Sequence, residues 1–160
     1  MKEHLEGQCQ CGQVTYRVSG KTIALFVCHC TECQHQSASA FGMALWIRDY
    51  LKELRTGSTA EWTRTMPSGK QLVGEFCPVC GTRLFHQVAG QSEIMSIKPG
   101  TLNIALPLDP VAHIWTQSAQ PWVSIPENVL HYPGNPPDFD AIIETWKTQK
   151  NASGARHDKR

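Results

Sequence analysis

Seven cysteines fall into three groups: Cys9-x-Cys11, Cys28-His29-Cys30-x-x-Cys33 and Cys77-Pro78-Val79-Cys80-Gly81. Within each group the spacing lets one short stretch of backbone present two or three sulfurs to a single ion. Thiolates so arranged suit zinc, which takes four ligands in a closed structural site and three, plus one exchangeable position, in a catalytic one. Seven divides into four plus three. Pairing Cys9 and Cys11 with Cys77 and Cys80 joins two local chelates across a long loop, and closing a long loop in the native state favours folding. Cys28, Cys30 and Cys33 then form a tripod that approaches an ion from one side and leaves the other side open. Spacing also permits Cys30 and Cys33 to join Cys77 and Cys80 in a ribbon-like site, leaving Cys9, Cys11 and Cys28. The first division is the more economical.

Other uses of the cysteines fit less well. An odd count does not complete a disulfide framework, and buried free thiols rarely fall into three groups at chelate spacing. A thioredoxin-like role for Cys30/Cys33 or Cys77/Cys80 requires a βαβ context that the flanking residues do not offer. The N-terminal Met-Lys-Glu-His-Leu-Glu-Gly lacks the apolar centre of a secretory signal, and no stretch approaches the roughly 20 apolar residues of a membrane span. These features predict a cytoplasmic chain in a reducing compartment, where clustered cysteines serve metals or catalysis. The net charge of +1 and pI of about 7.6 lack the basic excess of a dedicated nucleic-acid binder.

The elements that must position these sulfurs read mostly as strands. Val14, Tyr16 and Val18 alternate with polar neighbours, the pattern of a half-buried strand. Thr22 to Val27, Ala44 to Ile47, Glu61 to Thr65, Gln71 to Phe76, Arg83 to Val88, Glu93 to Ile97 and Val111 to Trp115 are further candidates, punctuated by turn residues. Met66-Pro67-Ser68-Gly69 predicts a hairpin turn. One segment reads as a helix, with Asp138 as its cap and Phe139, Ile142, Ile143 and Trp146 along one side. Length and composition predict a single domain over residues 1–150. Residues 151–160, polar, small and basic, predict a disordered tail.

The ordered motifs resemble those of the glutathione-dependent formaldehyde-activating enzyme (GFA) family, whose domain is also named after centromere protein V. They are Gly7-x-Cys9-x-Cys11-Gly12, then Cys28-His29-Cys30-x-x-Cys33 followed by Ser39-Ala40-Phe41-Gly42. Phe76-Cys77-x-x-Cys80-Gly81 with Leu84-Phe85 comes next, followed by Gly100-Thr101-Leu102 and His113-x-Trp115-x-x-Ser118, continuing to Trp122. The resemblance covers about residues 5–135. It implies a mainly β chain with the Mss4-like β-tent, short antiparallel sheets and a short C-terminal helix. It implies two zinc ions per chain, a structural one on Cys9, Cys11, Cys77 and Cys80 and an open one at an active site on Cys28, Cys30 and Cys33. Asn103-Ile104-Ala105 departs from the family pattern, which often carries an acidic pair after Gly-Thr-Leu.

The activity implied is that of a carbon–sulfur lyase acting on a thiol adduct, joining glutathione and formaldehyde as S-hydroxymethylglutathione. A three-thiolate zinc suits chemistry at sulfur, because the metal lowers the pKa of a further thiol. A small-molecule thiol is thus the expected partner, with neither membrane nor nucleic acid. A non-catalytic zinc module for protein or nucleic-acid binding and a zinc or redox sensor are the alternatives. Among other residues, His29 is a candidate support for the ligands and His35 a candidate proton shuttle. His113, Phe41, Trp115 and Trp122 are candidate core or pocket wall, and Arg48 and Arg83 are candidate partners for carboxylates.

Overall fold

The structure, a computed structural model, describes residues 2–103 and 108–157, with side chains to residue 152. Strands dominate, in a mixed multi-stranded arrangement that falls into two compact units. One comprises residues 1–22 and 45–107, the other residues 23–44 and 108–160. Strands β2 (Thr15–Cys28) and β3 (Gly42–Thr56) each run from one unit into the other.

In the first unit β4 (Ala60–Thr65), β5 (Gln71–Phe76), β6 (Arg83–Val88), β7 (Ile94–Ile97), β3 and β2 follow one another across the sheet. β1 (Glu3–Gln8) pairs antiparallel with β2, from Glu3 opposite Gly20 to Gln8 opposite Thr15. The β4–β5 hairpin closes at the expected turn, where the Met66 N–H donates to the Lys70 carbonyl at 2.8 Å and Gly69 takes φ +82°, a conformation that glycine adopts without steric cost. The period-two alternation of β2 sends Tyr16 and Val18 inward with Ile47, Phe85, Met95 and Ile97, all almost fully buried. Burial of each such side chain contributes roughly 1.5–3 kcal/mol.

Tyr16 explains two of the glycine-containing motifs. Its ring meets Phe85 edge-on with centroids 4.7 Å apart, and its hydroxyl lies 2.6 Å from the Thr101 Oγ1. Any side chain at Gly7 would collide with the Tyr16 ring. Burial pushes the Tyr16 phenol up to about 12, against the opposing effect of the Thr101 hydrogen bond.

The second unit begins with the inner half of β2, whose residues Ile23 to Cys28 are buried without interruption. Such a run belongs to a strand covered on both faces. β8 (Ala112–Ile114) pairs with it in parallel, Phe26 opposite Ala112 and Cys28 opposite Ile114. β9 (Leu130–His131) continues the parallel order. The mainly β chain expected is thus found, with antiparallel pairs in the first unit and these parallel pairs in the second: a long excursion between residues 28 and 112 returns the chain in the same direction as β2.

Two helices complete this unit. α1 (Thr31–Ser37) is seven residues long and has no buried residue, so it offered no apolar stripe to find in the sequence. α2 (Asp140–His157) starts as expected: the Asp138 Oδ1 accepts the Asp140 N–H at 3.0 Å, Phe139 faces Phe26 at 5.6 Å, and Ile142 is fully buried. The helix is assigned to His157, and residues 158–160 lie outside the described ones. No helix of the described residues is long and apolar enough to cross a membrane.

Candidate metal centres and their surroundings

Two groups of sulfurs form, and they divide the cysteines four and three. Cys9, Cys11, Cys77 and Cys80 bring their Sγ atoms within 4.8 Å of one another in the first unit, and Cys28, Cys30 and Cys33 do the same in the second. The grouping of Cys30 and Cys33 with Cys77 and Cys80 is not formed.

The four-sulfur group is held by two turns of matching design. In the first, the Cys9 N–H donates to the Val14 carbonyl at 3.0 Å and the Gly12 N–H to the Cys9 carbonyl at 3.1 Å. In the second, the Cys77 N–H donates to the Thr82 carbonyl at 2.9 Å and the Gly81 N–H to the Cys77 carbonyl at 2.9 Å. Gly12 and Gly81 both stand at φ +75°, which explains why a glycine follows each cysteine pair. The turns are tied together where the Gln10 N–H donates to the Thr82 Oγ1 at 3.1 Å.

The electrostatics of this group suit a cation. The Val14 N–H points at the Cys9 Sγ at 3.2 Å; burial and, less so, Cys80 oppose ionisation of Cys9, but this bond and the thiols of Cys11 and Cys77 outweigh them and hold its pKa below the ordinary value. The Thr82 hydroxyl, 3.1 Å from the Cys80 Sγ, and then the Thr82 backbone N–H bring Cys80 down to about 5. Cys11 goes the other way. The Gln13 N–H favours its thiolate, yet burial and the sulfurs of Cys9, Cys80 and Cys77 push it up to about 12. Four thiolates this close repel one another unless an ion sits among them. The Sγ atoms of Cys9 and Cys11 are 3.5 Å apart and those of Cys11 and Cys77 3.9 Å. A tetrahedron with zinc–sulfur bonds of ~2.3 Å has edges of roughly 3.8 Å, so the group fits that ion.

The three-sulfur group is built where β2 ends and α1 starts. Cys28 is the last residue of β2, Cys30 is the N-cap of α1, and Cys33 lies in its first turn. The Cys33 N–H donates to the Cys30 Sγ at 3.3 Å, the role an N-cap side chain plays. The sulfurs of Cys30 and Cys33, with burial, raise the Cys28 pKa far above the ordinary thiol value: without a cation the three cannot all be ionised. Gly42 makes room for this cluster, since a Cβ there would stand 3.3 Å from the Cys33 Cβ and 3.6 Å from its Sγ. Among the described residues no fourth cysteine, histidine or carboxylate joins the group.

His29, between two of these cysteines, is fully buried. Its backbone N–H donates to the Ile114 carbonyl at 3.0 Å, and its Nε2 lies 2.9 Å from the His113 Nδ1. The rings stack with centroids 5.2 Å apart, and Phe41 meets His29 edge-on at 5.6 Å. Burial lowers the pKa of both histidines, and for His113 the nearby His29 and His131 lower it further. His113 and Phe41 are thus wall and brace of the cysteine segment.

The sequence reading overlooked Gln34. Its Nε2 donates to the His29 carbonyl at 2.8 Å and to the Ser118 carbonyl at 2.9 Å, while its Oε1 accepts from the Gln120 Nε2 at 2.9 Å. Beside it lies an open depression of about 360 Å³ lined by Gln34, His35, Ala38, Ala40, Gln120 and Trp122. Trp122 is 75% exposed. Trp115 stands half-buried at φ +59°, starting the turn to Ser118. Arg48 and Arg83 stand on β3 and β6 of the first unit. Of the segment that departs from the family pattern, Ile104 and Ala105 lie outside the described residues.

A sequence profile described as glutathione-dependent formaldehyde-activating enzyme matches residues 4–118. No curated protein matches the chain at a significant level. Among solved structures, a protein of Rhodobacter sphaeroides from a structural genomics programme is similar, with 18% identity over 64% of this chain and 91% of that one and a TM-score of 0.48.

Proposed function

The chain belongs to the glutathione-dependent formaldehyde-activating enzyme family, and on that basis we propose that it is a zinc-dependent enzyme of the carbon–sulfur lyase type, acting on the adduct of a small thiol such as glutathione with formaldehyde or a related electrophile. The observation that carries this reading is the inequality of the two cysteine groups. Four sulfurs can close around one ion, whereas Cys28, Cys30 and Cys33 supply three from a single segment. In this reading Cys9, Cys11, Cys77 and Cys80 hold a structural zinc and Cys28, Cys30 and Cys33 an open one. Zinc at the open site supplies a place where a further thiol loses its proton near neutral pH.

The chain's own residues do the positioning. Cys30 and Cys33 are fixed by the start of α1, and His29 is locked by His113 and by the Gln34 bond to its carbonyl. The depression beside α1 has the size of a small-ligand site, and Gln120 and Trp122 offer a polar and an aromatic wall to a peptide-like thiol. In the forward direction the thiol sulfur attacks the aldehyde carbon, the carbon–sulfur bond forms, and the carbonyl π pair moves to oxygen. The thiol's proton ends on that oxygen, giving the S-hydroxymethyl adduct; cleavage is the reverse. Holding both partners together accounts for most of the acceleration such an addition needs.

The test is NMR exchange spectroscopy on formaldehyde and glutathione with purified protein. The wild type is expected to accelerate exchange between free and adduct signals, and Cys30→Ser to return it to the uncatalysed rate. Equal exchange with wild type and variant would reject the enzyme in favour of a non-catalytic zinc module.

A further inference from the structure

One row of residues crosses five strands of the first unit: Trp62 on β4 is opposite Gly74 on β5, Gly74 opposite His86 on β6, His86 opposite Ser96 on β7, and Ser96 opposite Trp46 on β3. Directly paired residues share a face of the sheet, so two tryptophans flank a glycine, a histidine and a serine on one surface. By the same alternation Arg64, opposite Leu72, and Arg48, opposite Ile94, lie on that face. The register shift at Glu75/Phe76 brings Arg83 opposite Phe76 and onto it as well. The Arg83 guanidinium lies across Gly74, where any Cβ would collide with it, and stacks over the Phe76 ring at 5.9 Å.

This face is short of partners for its buried donors. The Nε of Arg48, the Nε of Arg83, the Nδ1 of His86 and the Oγ of Ser96 are all buried without a hydrogen-bond partner. Ser96 is only 2% exposed. Neither Arg48 nor Arg83 has an acidic partner among the described residues. Buried polar groups are ordinarily satisfied, and several orphans on one surface call for a missing ligand or solvent. The charges that bear on His86 are those of Lys98, Arg83 and Arg64, all cationic, so the field selects against a cation and for an anion. At the β4 end of the row Trp62 is 59% exposed.

From this juxtaposition we propose that the β5–β6–β7–β3 face binds a small oxyanion, a carboxylate or phosphate group of a low-molecular-weight ligand, between Arg83, His86 and Ser96, with Arg48 and Arg64 at its margin. Arg83 supplies a planar donor fork matched to two oxygens, His86 and Ser96 supply single hydrogen bonds, and Trp62 covers the organic part of the ligand. This site is independent of the cysteine groups and needs no metal.

The test is isothermal titration with inorganic phosphate and, separately, with succinate, followed by the His86 ring signals in NMR. Saturable binding of at least one anion with a shift of the His86 ring resonances is expected, and the anion that binds tells phosphate from carboxylate ligands. Arg83→Gln should weaken it at least tenfold. Lys70→Gln, which removes the same charge from the exposed β4–β5 turn, should leave it unchanged. Ser96→Ala, a small change that keeps the strand intact, should also weaken binding and serves if Arg83→Gln fails to fold. No saturable binding of either anion, binding indifferent to both site variants, or equal weakening by Lys70→Gln would overturn the proposal.

Discussion

His29 and His113, 84 positions apart in sequence, share a 2.9 Å hydrogen bond inside the second unit. The bond links the residue between two cysteines to the parallel strand β8, and it gives the cysteine segment a fixed base.

Replacing His113 by Phe keeps a ring of similar shape but leaves the buried His29 Nε2 without a partner. An unsatisfied buried group costs about 1–3 kcal/mol, so His113→Phe should lower the stability read by urea denaturation by that amount. An unchanged midpoint would show that the pair is not part of what holds the segment.

Gly42→Ala introduces a methyl 3.3 Å from the Cys33 Cβ, tighter than ordinary van der Waals contact. The strand must shift or Cys33 must move, at a cost of about 1 kcal/mol or more for overpacking. Metal affinity of the three-cysteine group should fall while that of the four-cysteine group stays as in the wild type. Chelator competition with separate release phases reads the two.

Burial first, and then Lys98, Arg83 and Arg64, hold the His86 pKa well below the ordinary value, although the residue keeps a partly exposed edge. A histidine whose folded pKa is depressed binds fewer protons folded than unfolded, so stability rises with pH across the window between the two values. Its contribution is complete above the unfolded value of ~6.5 and is lost as pH falls below that toward the folded pKa. Denaturation midpoints should therefore drop between neutrality and mild acid, and His86→Gln should flatten that slope. An identical slope in the variant would assign the acid sensitivity to other groups.

Much of this was legible in the sequence because local spacing carries chemistry. The cysteine pairs with their following glycines signal turns that aim sulfur at one point, and Tyr16 and Val18 announce β2 by alternation. What escaped was non-local or weakly patterned. α1 buries nothing, and β1 carries only Leu5 and Gly7 on its buried side. The pairing of β8 with β2 joins residues more than eighty positions apart, and no local pattern fixes such a choice. Gln34 looked like any exposed polar residue until Ser118 and Gln120 came beside it. The row of His86 and Ser96 depends on strand order, and the bulge that turns Arg83 onto its face leaves no mark in composition.

Elemental analysis of reduced, chelator-free protein tests the unequal pair of metal centres most directly. The wild type should carry two zinc ions per chain. Cys33→Ser should keep one and remain folded by circular dichroism, whereas Cys80→Ser should lose the bridge between its two turns and unfold. Fewer than two ions in the wild type, or the same loss of structure in both variants, would contradict an enclosed site standing beside an open one.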